Sequence, residues 1–264
     1  MEASSLPRPL ALVTGASSGI GLDLARQFAT NGFDLVIAAE DDAIHTAAKD
    51  VESLGADVEA VQADLATDEG VDELYARVDR PLAAAALNAG IGAGGAFATD
   101  TRIEDELKLI DLNVRGTVHL AKHVVQDMAA RGEGRILFTS SIASTMPGSF
   151  QAVYNASKSF VQSFALALRN ELKDTGVTVT SLMPGPTETE FFERADMLDT
   201  KLGSSDKDDP ADVARMGFEA LMNGDERVVA ASLSTKLQGH GSRLMPDKLK
   251  AELHRRMAEP GSGS

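Results

Sequence analysis

The sequence predicts an α/β fold, a single domain built on a doubly wound parallel sheet with helices on both faces. Three observations carry this reading. Short apolar runs alternate with stretches of helical period along the chain. Most of those runs are continuously apolar, as expected of strands covered on both faces. The first run leads straight into a glycine-rich turn and then a helix. A chain of 264 residues with 43% hydrophobic content suits one such domain. No domain linker, internal repeat or low-complexity tract interrupts the alternation.

Taken in order, Leu10 to Val13 forms the first strand and Gly21 to Thr30 the first helix, closed by Asn31-Gly32. Asp34 to Ala39 is a second strand. Asp42 to Leu54 is helical and ends at Gly55. Val58 to Gln62 is a third strand. Asp68 to Val78 is a helix with Thr67 as its N-cap, because a threonine hydroxyl satisfies a free N–H of the first turn. Pro81 opens a buried strand, Leu82 to Leu87, which runs into Asn88-Ala89-Gly90. A long helical stretch covers Ile103 to Ala130. Arg135 to Ser140 is a strand, Tyr154 to Asp174 a helix, and Val177 to Leu182 a strand. Pro210 to Met222 is a helix, helped by proline in its first turn. Val228 to Ala231 closes the sheet. A polar linker and a helix from Pro246 to Met257 follow, and the closing EPGSGS reads as a frayed end.

The formal net charge is −15 and the isoelectric point about 4.7. Nucleic acid and anionic membrane surfaces attract cations, so neither is expected as a partner. The chain has no cysteine, which excludes disulfides, thiolate catalysis and cysteine zinc sites. The start MEASSLPRPLALVTG lacks the basic region and long apolar run of a signal peptide. Residues 83–89 are apolar but far too few to span a bilayer. A cytoplasmic location is the resulting expectation.

The first turn reads TGASSGIG, Thr14 to Gly21. Its glycines, Gly15, Gly19 and Gly21, let the backbone turn sharply and admit a pyrophosphate without Cβ clashes. The helix start offers free N–H groups and a positive dipole end. Ser17 and Ser18 add hydroxyl donors. The second strand ends in Glu40, Asp41 and Asp42. A 2′-phosphate would meet like charge there, whereas ribose hydroxyls suit a carboxylate acceptor. NAD is therefore expected over NADP, with Glu40 as the discriminator.

Tyr154 and Lys158 in YNASK stand at i and i+4, on one face of a helix. A phenol that works near neutral pH needs its pKa lowered by roughly 3 from about 10, which is about 4 kcal/mol. An ammonium about 4 Å away supplies about that much at an effective dielectric near 20. Ser141, in the loop before this helix, can hold a substrate carbonyl by its hydroxyl.

TGASSGIG, LNAG (Leu87 to Gly90), Asn113 in DLNVRG, the TSS ending at Ser141, YNASK and MPGPTET (Met183 to Thr189) stand in a set order. In that order and spacing the chain resembles the short-chain dehydrogenase/reductases, over residues 9 to about 231. The resemblance implies a Rossmann-like sheet and a nicotinamide cofactor. It also implies a reaction that interconverts a secondary alcohol and a ketone or aldehyde. Tyr154 matches the general acid/base, and Lys158 the lysine that lowers its pKa and binds the ribose. Ser141 matches the serine that orients the reacting oxygen, and Asn113 the asparagine of the proton relay. The cofactor would lie on Gly15, Ser17, Ser18, Gly19, Ile20 and Gly21, then on Glu40, Asp64, Leu65, Asn88, Ala89 and Gly90. Tyr154 and Lys158 would reach its ribose, and Pro184, Gly185, Thr187 and Thr189 its carboxamide. Asn88 would brace the sheet and Asp64 would stand beside the adenine. A homodimer or homotetramer through the helices near 103–130 and 154–174 is implied as well.

Three departures from the family pattern stand out. The first motif has no basic residue. The second strand ends Ala39-Glu40, where many NAD-using relatives place aspartate at position 39. No V-D-G-G follows the last strand. An extension over about 232–264 replaces it, placed to cover the cleft or a subunit contact.

A lid is expected over about Thr189 to Asp208, with Phe191, Phe192 and Met146 to Phe150 as an apolar wall. Met183 and Met197 flank the cleft and are expected to pack. His119 and His123 have a helical spacing that can bind metal, but the sequence shows no third ligand and the chemistry needs no metal. They are expected at the surface or at an interface. His254, Arg255 and Arg256 would complement a helix dipole. Two alternatives share the scaffold: a cofactor-binding regulator without turnover, and an epimerase or dehydratase.

Overall fold

A computed structural model of the protein describes residues 7–230 and 246–263. Seven strands form one sheet: β1 Leu10–Thr14, β2 Asp34–Ala39, β3 Val58–Gln62, β4 Leu82–Leu87, β5 Gly134–Thr139, β6 Val177–Pro184 and β7 Arg227–Ala230. They pair in the order β3-β2-β1-β4-β5-β6-β7, and every pairing is parallel. The order reverses between β1 and β4, where chains of this topology leave a crevice at the strand ends. The four strands β1, β2, β4 and β5 are almost wholly buried. β3 and β7 are the partly exposed edges.

The helices are α1 Gly19–Thr30, α2 Ile44–Glu52, α3 Asp68–Tyr75, α4 Ile103–Ile110, α5 Thr117–Arg131, α6 Ala152–Glu171, α7 Phe191–Arg194, α8 Lys201–Ser204, α9 Pro210–Asn223 and α10 Asp247–Ala258. One core lies under α1, α2 and α9, where Phe28, Phe33 and Phe218 meet edge to face. The other lies under α3, α5 and α6, with Leu74, Leu120, Val124, Met128 and Val161 buried against β1, β4 and β5. The apolar faces of the sheet thus both find cover, which is why the strands need no polar side.

The expected elements are present with local differences. Thr67 caps α3 by accepting the N–H of Gly70 at 3.0 Å. α1 starts at Gly19, two residues before the expected Gly21, and Gly19 opens it with a left-handed φ of +54°. α6 starts at Ala152, one short turn before Tyr154. The expected single helix over 103–130 is broken in character: Asp111–Gly116 is a π turn joining α4 to α5. A π turn inserts a residue into the helical ladder and often marks a site. A 3₁₀ turn over Ile142–Thr145 was not expected; Ser141 caps it by accepting the N–H of Ala143. Ala231 and the expected linker up to residue 245 lie outside the described residues.

The chain after α10 departs from a frayed end. Gly261 N–H donates to Asp199 Oδ2 at 2.7 Å, Gly263 N–H to Asp199 O at 2.8 Å, and Lys201 N–H to Ser262 Oγ at 3.1 Å. His254 departs from dipole duty too. It is buried, with Nδ1 2.9 Å from Ser149 O, and burial lowers its pKa. Only Arg255 and Arg256 stand exposed in the last turn. No helix among the described residues is long and apolar enough to cross a membrane.

Candidate active site

A cleft of about 480 Å³ opens at the carboxyl ends of β1 to β4. Gly15, Ser17, Ser18, Gly19, Ile20 and Gly21 line it from the first turn, Glu40, Asp64 and Leu65 from the next two strands, and Asn88, Ala89 and Gly90 from β4. Thr189 closes one side. The glycines are needed where they stand. Gly15 has φ +65°, and a Cβ there would sit 2.9 Å from Ala89 Cα. A Cβ on Gly21 would lie 1.9 Å from Gly15 O. The cradle is therefore bare backbone with a helix start behind it, which fits a pyrophosphate.

Asn88 holds three strands together. Its Nδ2 donates to Thr14 O at 3.1 Å, and its Oδ1 accepts from Thr139 Oγ1 at 2.9 Å. Thr14 Oγ1 accepts the N–H groups of Asn88 and Ala89, each at 3.0 Å. Thr14 and Thr139 were not singled out in the sequence, since a strand threonine there looks like ordinary packing.

The acidic end of the cleft is more mixed than the sequence showed. Glu40 receives Lys108 Nζ at 2.8 Å and 3.2 Å on its two oxygens, so a cation from α4 stands in this corner. Asp41 Oδ2 accepts from Ser17 Oγ at 3.0 Å, and its buried Oδ1 has no hydrogen-bond partner. Asp41 lines the cleft beside Glu40. Asp64 Oδ1 takes the N–H of Ala66 at 2.9 Å and so holds the loop beside the expected adenine position.

Asn113 and Lys158 meet behind Gly90, and Ser141 and Lys158 stand beside Tyr154; none of these four lines the cleft itself. A Cβ on Gly90 would lie 3.1 Å from both Asn113 Oδ1 and Lys158 Nζ. Asn113, in the π turn, accepts from Ile91 N at 2.9 Å and donates to Ile91 O at 2.9 Å. It also donates to Ser157 Oγ at 3.1 Å, and Ser157 Oγ donates to Tyr154 O at 2.7 Å. Ser141 hydrogen-bonds the Tyr154 hydroxyl, which favours the phenolate. Lys158 Nζ donates to Thr139 O at 3.0 Å and lies 5.9 Å from the Tyr154 ring centroid. Asn155 pins the Ser141 loop by donating to Ala143 O and Met146 O. Ser157 and Asn155 escaped the sequence reading because small polar residues on a helix carry no pattern.

The expectation that Lys158 brings Tyr154 toward neutrality needs correction in this structure. Burial pushes the phenol up to about 12, and the Ser141 bond offsets only part of that. Burial also lowers the lysine from 10.5 to about 8. Both groups lie in the interior, so loss of solvation outweighs their attraction. Positive charge beside the ring would act against this upward shift.

Pro184, Gly185 and Thr187 do not line the cleft. Thr187 is buried, donates its hydroxyl to Gly185 O at 2.9 Å and bridges to Asp208. Thr189 reaches the cleft, where a Cβ on Gly19 would be 2.8 Å from its Cγ2. The lid carries α7 and α8. Phe191 stacks obliquely on Tyr154 at 5.1 Å, and a Cβ on Gly92 would lie 2.4 Å from its ring. Phe192, Ala195 and Met197 are buried with Ala258 of α10, so Met197 packs as expected. Met183 is buried in β6. The wall over 146–150 is held from α10 through His254 and through Ser149 Oγ, which donates to Ala251 O at 3.1 Å.

The family profile described as short chain dehydrogenase matches residues 9–197. An NADP-dependent 3-hydroxy acid dehydrogenase of Salmonella typhi is 33% identical over 179 residues, covering 67% of this chain and 71% of the relative. A short-chain dehydrogenase from Sphingobium yanoikuyae, solved in complex with NADPH, superposes with a TM-score of 0.78 at 29% identity, covering 90% of this chain and 94% of the other. A 3-oxoacyl-[acyl-carrier protein] reductase from Brucella melitensis, solved with NAD, has a TM-score of 0.73 at 29% identity, covering 86% and 96%. With its parallel seven-stranded sheet and its glycine cradle at the β1–β4 crevice, the chain belongs to the short-chain dehydrogenase/reductase family of nicotinamide-dependent oxidoreductases.

Proposed function

We propose that this protein interconverts a secondary alcohol and a ketone or aldehyde, with Tyr154 as the general acid/base and NAD as the preferred cofactor. The observation that supports this reading is that Lys158 links two pairs of these residues: it stands with Asn113 behind Gly90 and beside the Tyr154 ring, whose hydroxyl Ser141 meets. Nicotinamide, when bound, supplies or accepts the hydride. Tyr154 gives its phenolic proton to the carbonyl oxygen during reduction and takes it back during oxidation. Ser141 holds that oxygen near the phenol. Lys158, beside the Tyr154 ring, would favour the phenolate and hold the ribose hydroxyls, and the Asn113–Ser157 chain keeps this end of α6 in place. Phe191 and the 146–150 wall shield the step from water.

The preference for NAD rests on charge. Glu40 and Asp41 place two carboxylates at the ribose end against one ammonium, Lys108, so a 2′-phosphate still meets net negative charge. Single-domain organisation, with a core over about 9–231 and an extension over 232–264, and a homodimer or homotetramer belong to the same reading. Exposed Ile103, Leu107, Val118 and Phe160 on α4, α5 and α6 would be the faces for assembly. NADH and NADPH titrations followed by turnover on a panel of ketones and aldehydes test the proposal. Tight NADH binding with turnover that falls about 10²- to 10⁴-fold in Tyr154→Phe supports it. NADH binding without turnover on any carbonyl would instead favour the regulator.

A further inference from the structure

Away from the cleft, on the outer surface of α3 and α5, the fold supplies the third ligand that the sequence lacked. Asp72 of α3 stands opposite His119 and His123 of α5. Its Oδ1 lies 3.2 Å from His119 Nε2 and 3.3 Å from His123 Nε2. One potential ligand atom from each of the three residues lies within 4.8 Å of the others. A zinc ion with bonds of about 2.0–2.1 Å at tetrahedral angles sets its ligands about 3.3 Å apart. The two Asp72 edges already have that length, and the third lies within 4.8 Å.

The surroundings of His119 point the same way. His119 has a carboxylate at each nitrogen: Nδ1 is 3.3 Å from Asp68 Oδ1, and Nε2 faces Asp72. A neutral imidazole has one N–H. If Nδ1–H donates to Asp68, Nε2 presents a lone pair to an oxygen lone pair, and the pair calls for a cation between them. An imidazole whose outer nitrogen is held by a carboxylate is the usual support of a metal ligand. The Tyr75 ring stacks on His123 with centroids 4.7 Å apart, and its hydroxyl donates to Asp127, which limits how His123 can turn. The side chains remain partly open to solvent, so water can complete the shell.

We propose that Asp72, His119 and His123 form a binding site for a divalent transition-metal ion of the zinc class, oriented by Asp68. Two imidazoles and one carboxylate suit zinc, nickel or copper and disfavour magnesium and calcium. The ion would clamp α3 to α5 just beyond the cofactor cleft. α3 follows the Asp64–Leu65 wall, and α5 follows Gly116, where a Cβ would sit 2.0 Å from Leu65 O.

Calorimetric titration of the purified full chain with zinc chloride, and separately with magnesium chloride, tests the site. The expected result is one saturable zinc site per chain and none for magnesium. Asp68→Asn should weaken zinc by about tenfold through lost orientation. His123→Ala and Asp72→Asn should weaken it more. Zinc should raise the unfolding temperature of the native chain and not that of His123→Ala. NADH binding, measured on each variant, reports whether it has folded. Absence of saturable zinc binding overturns the proposal, as does zinc binding unchanged by His123→Ala. Equal binding of both metals would mean a diffuse acidic surface and overturns it too. If His119 is instead an imidazolium bonded to both carboxylates, Asp68→Asn lowers stability while the native chain takes up no zinc.

Discussion

Replacing Lys158 by methionine is expected to stabilise the fold while destroying turnover. The ammonium is buried on α6 and donates to Thr139 O at 3.0 Å. Burial lowers its pKa from 10.5 to about 8. A drop of that size corresponds to about 3 kcal/mol of lost solvation that folding works against at neutral pH. Methionine keeps much of the length and removes the charge. It also leaves Thr139 O without this donor, which costs about 1–2 kcal/mol. The net expectation is a gain of about 1–2 kcal/mol at pH 7. The sign follows from proton counting. The unfolded lysine keeps its proton up to 10.5, the folded one only to about 8. Between those values the unfolded state binds more protons, so native stability rises with pH across that window. The variant has no group there to titrate, so its advantage shrinks over the same range. Urea unfolding followed by circular dichroism, from about pH 7 to pH 10, measures both proteins. The scan stops there because Tyr154, raised to about 12, adds a fall in stability at higher pH. A variant less stable at pH 7, or a difference between the two proteins that is flat with pH, would refute the reasoning.

Three further changes probe other parts of the site. Glu40→Arg removes the partner of Lys108 and brings a second cation to the ribose end; it should move the NADPH-to-NADH affinity ratio toward NADPH by at least about tenfold, read by fluorescence titration. Gly21→Ala forces a Cβ to within 1.9 Å of Gly15 O, so the cradle must shift. The expected cost is about 1–3 kcal/mol in thermal unfolding with a loss of NADH affinity, and unchanged affinity would count against the cradle. Phe191→Ala removes the ring that stacks on Tyr154 at 5.1 Å. Steady-state kinetics should show a raised KM for bulky apolar carbonyls with NADH affinity kept, and loss of NADH binding instead would place the ring on the cofactor.

Much of the fold and of the site was legible because it is written in local pattern. Short continuous apolar runs that alternate with helical stretches read as strands covered on both faces, and the run Leu82–Leu87 is one of them. Gly15, Gly19 and Gly21 are read from their spacing because backbone freedom belongs to the residue itself. Tyr154 and Lys158 are legible because one helical turn fixes their shared face. Other features depend on where separate elements come to rest. Lys108 reaches Glu40 across 68 positions, and no local window holds both. The π turn that aims Asn113 at Ile91 and Ser157 has no composition of its own. The sequence alone therefore determined the sheet and the glycine turn, and it singled out Tyr154 and Lys158 as the proposed proton-transfer pair, since each rests on backbone period or residue chemistry. Tertiary structure decided the rest. It set the electrostatics around Tyr154, because solvation depends on burial. It brought Lys108 into the cofactor corner and Asp72 to His119 and His123, because those meetings exist only once α3, α4 and α5 have packed on the sheet.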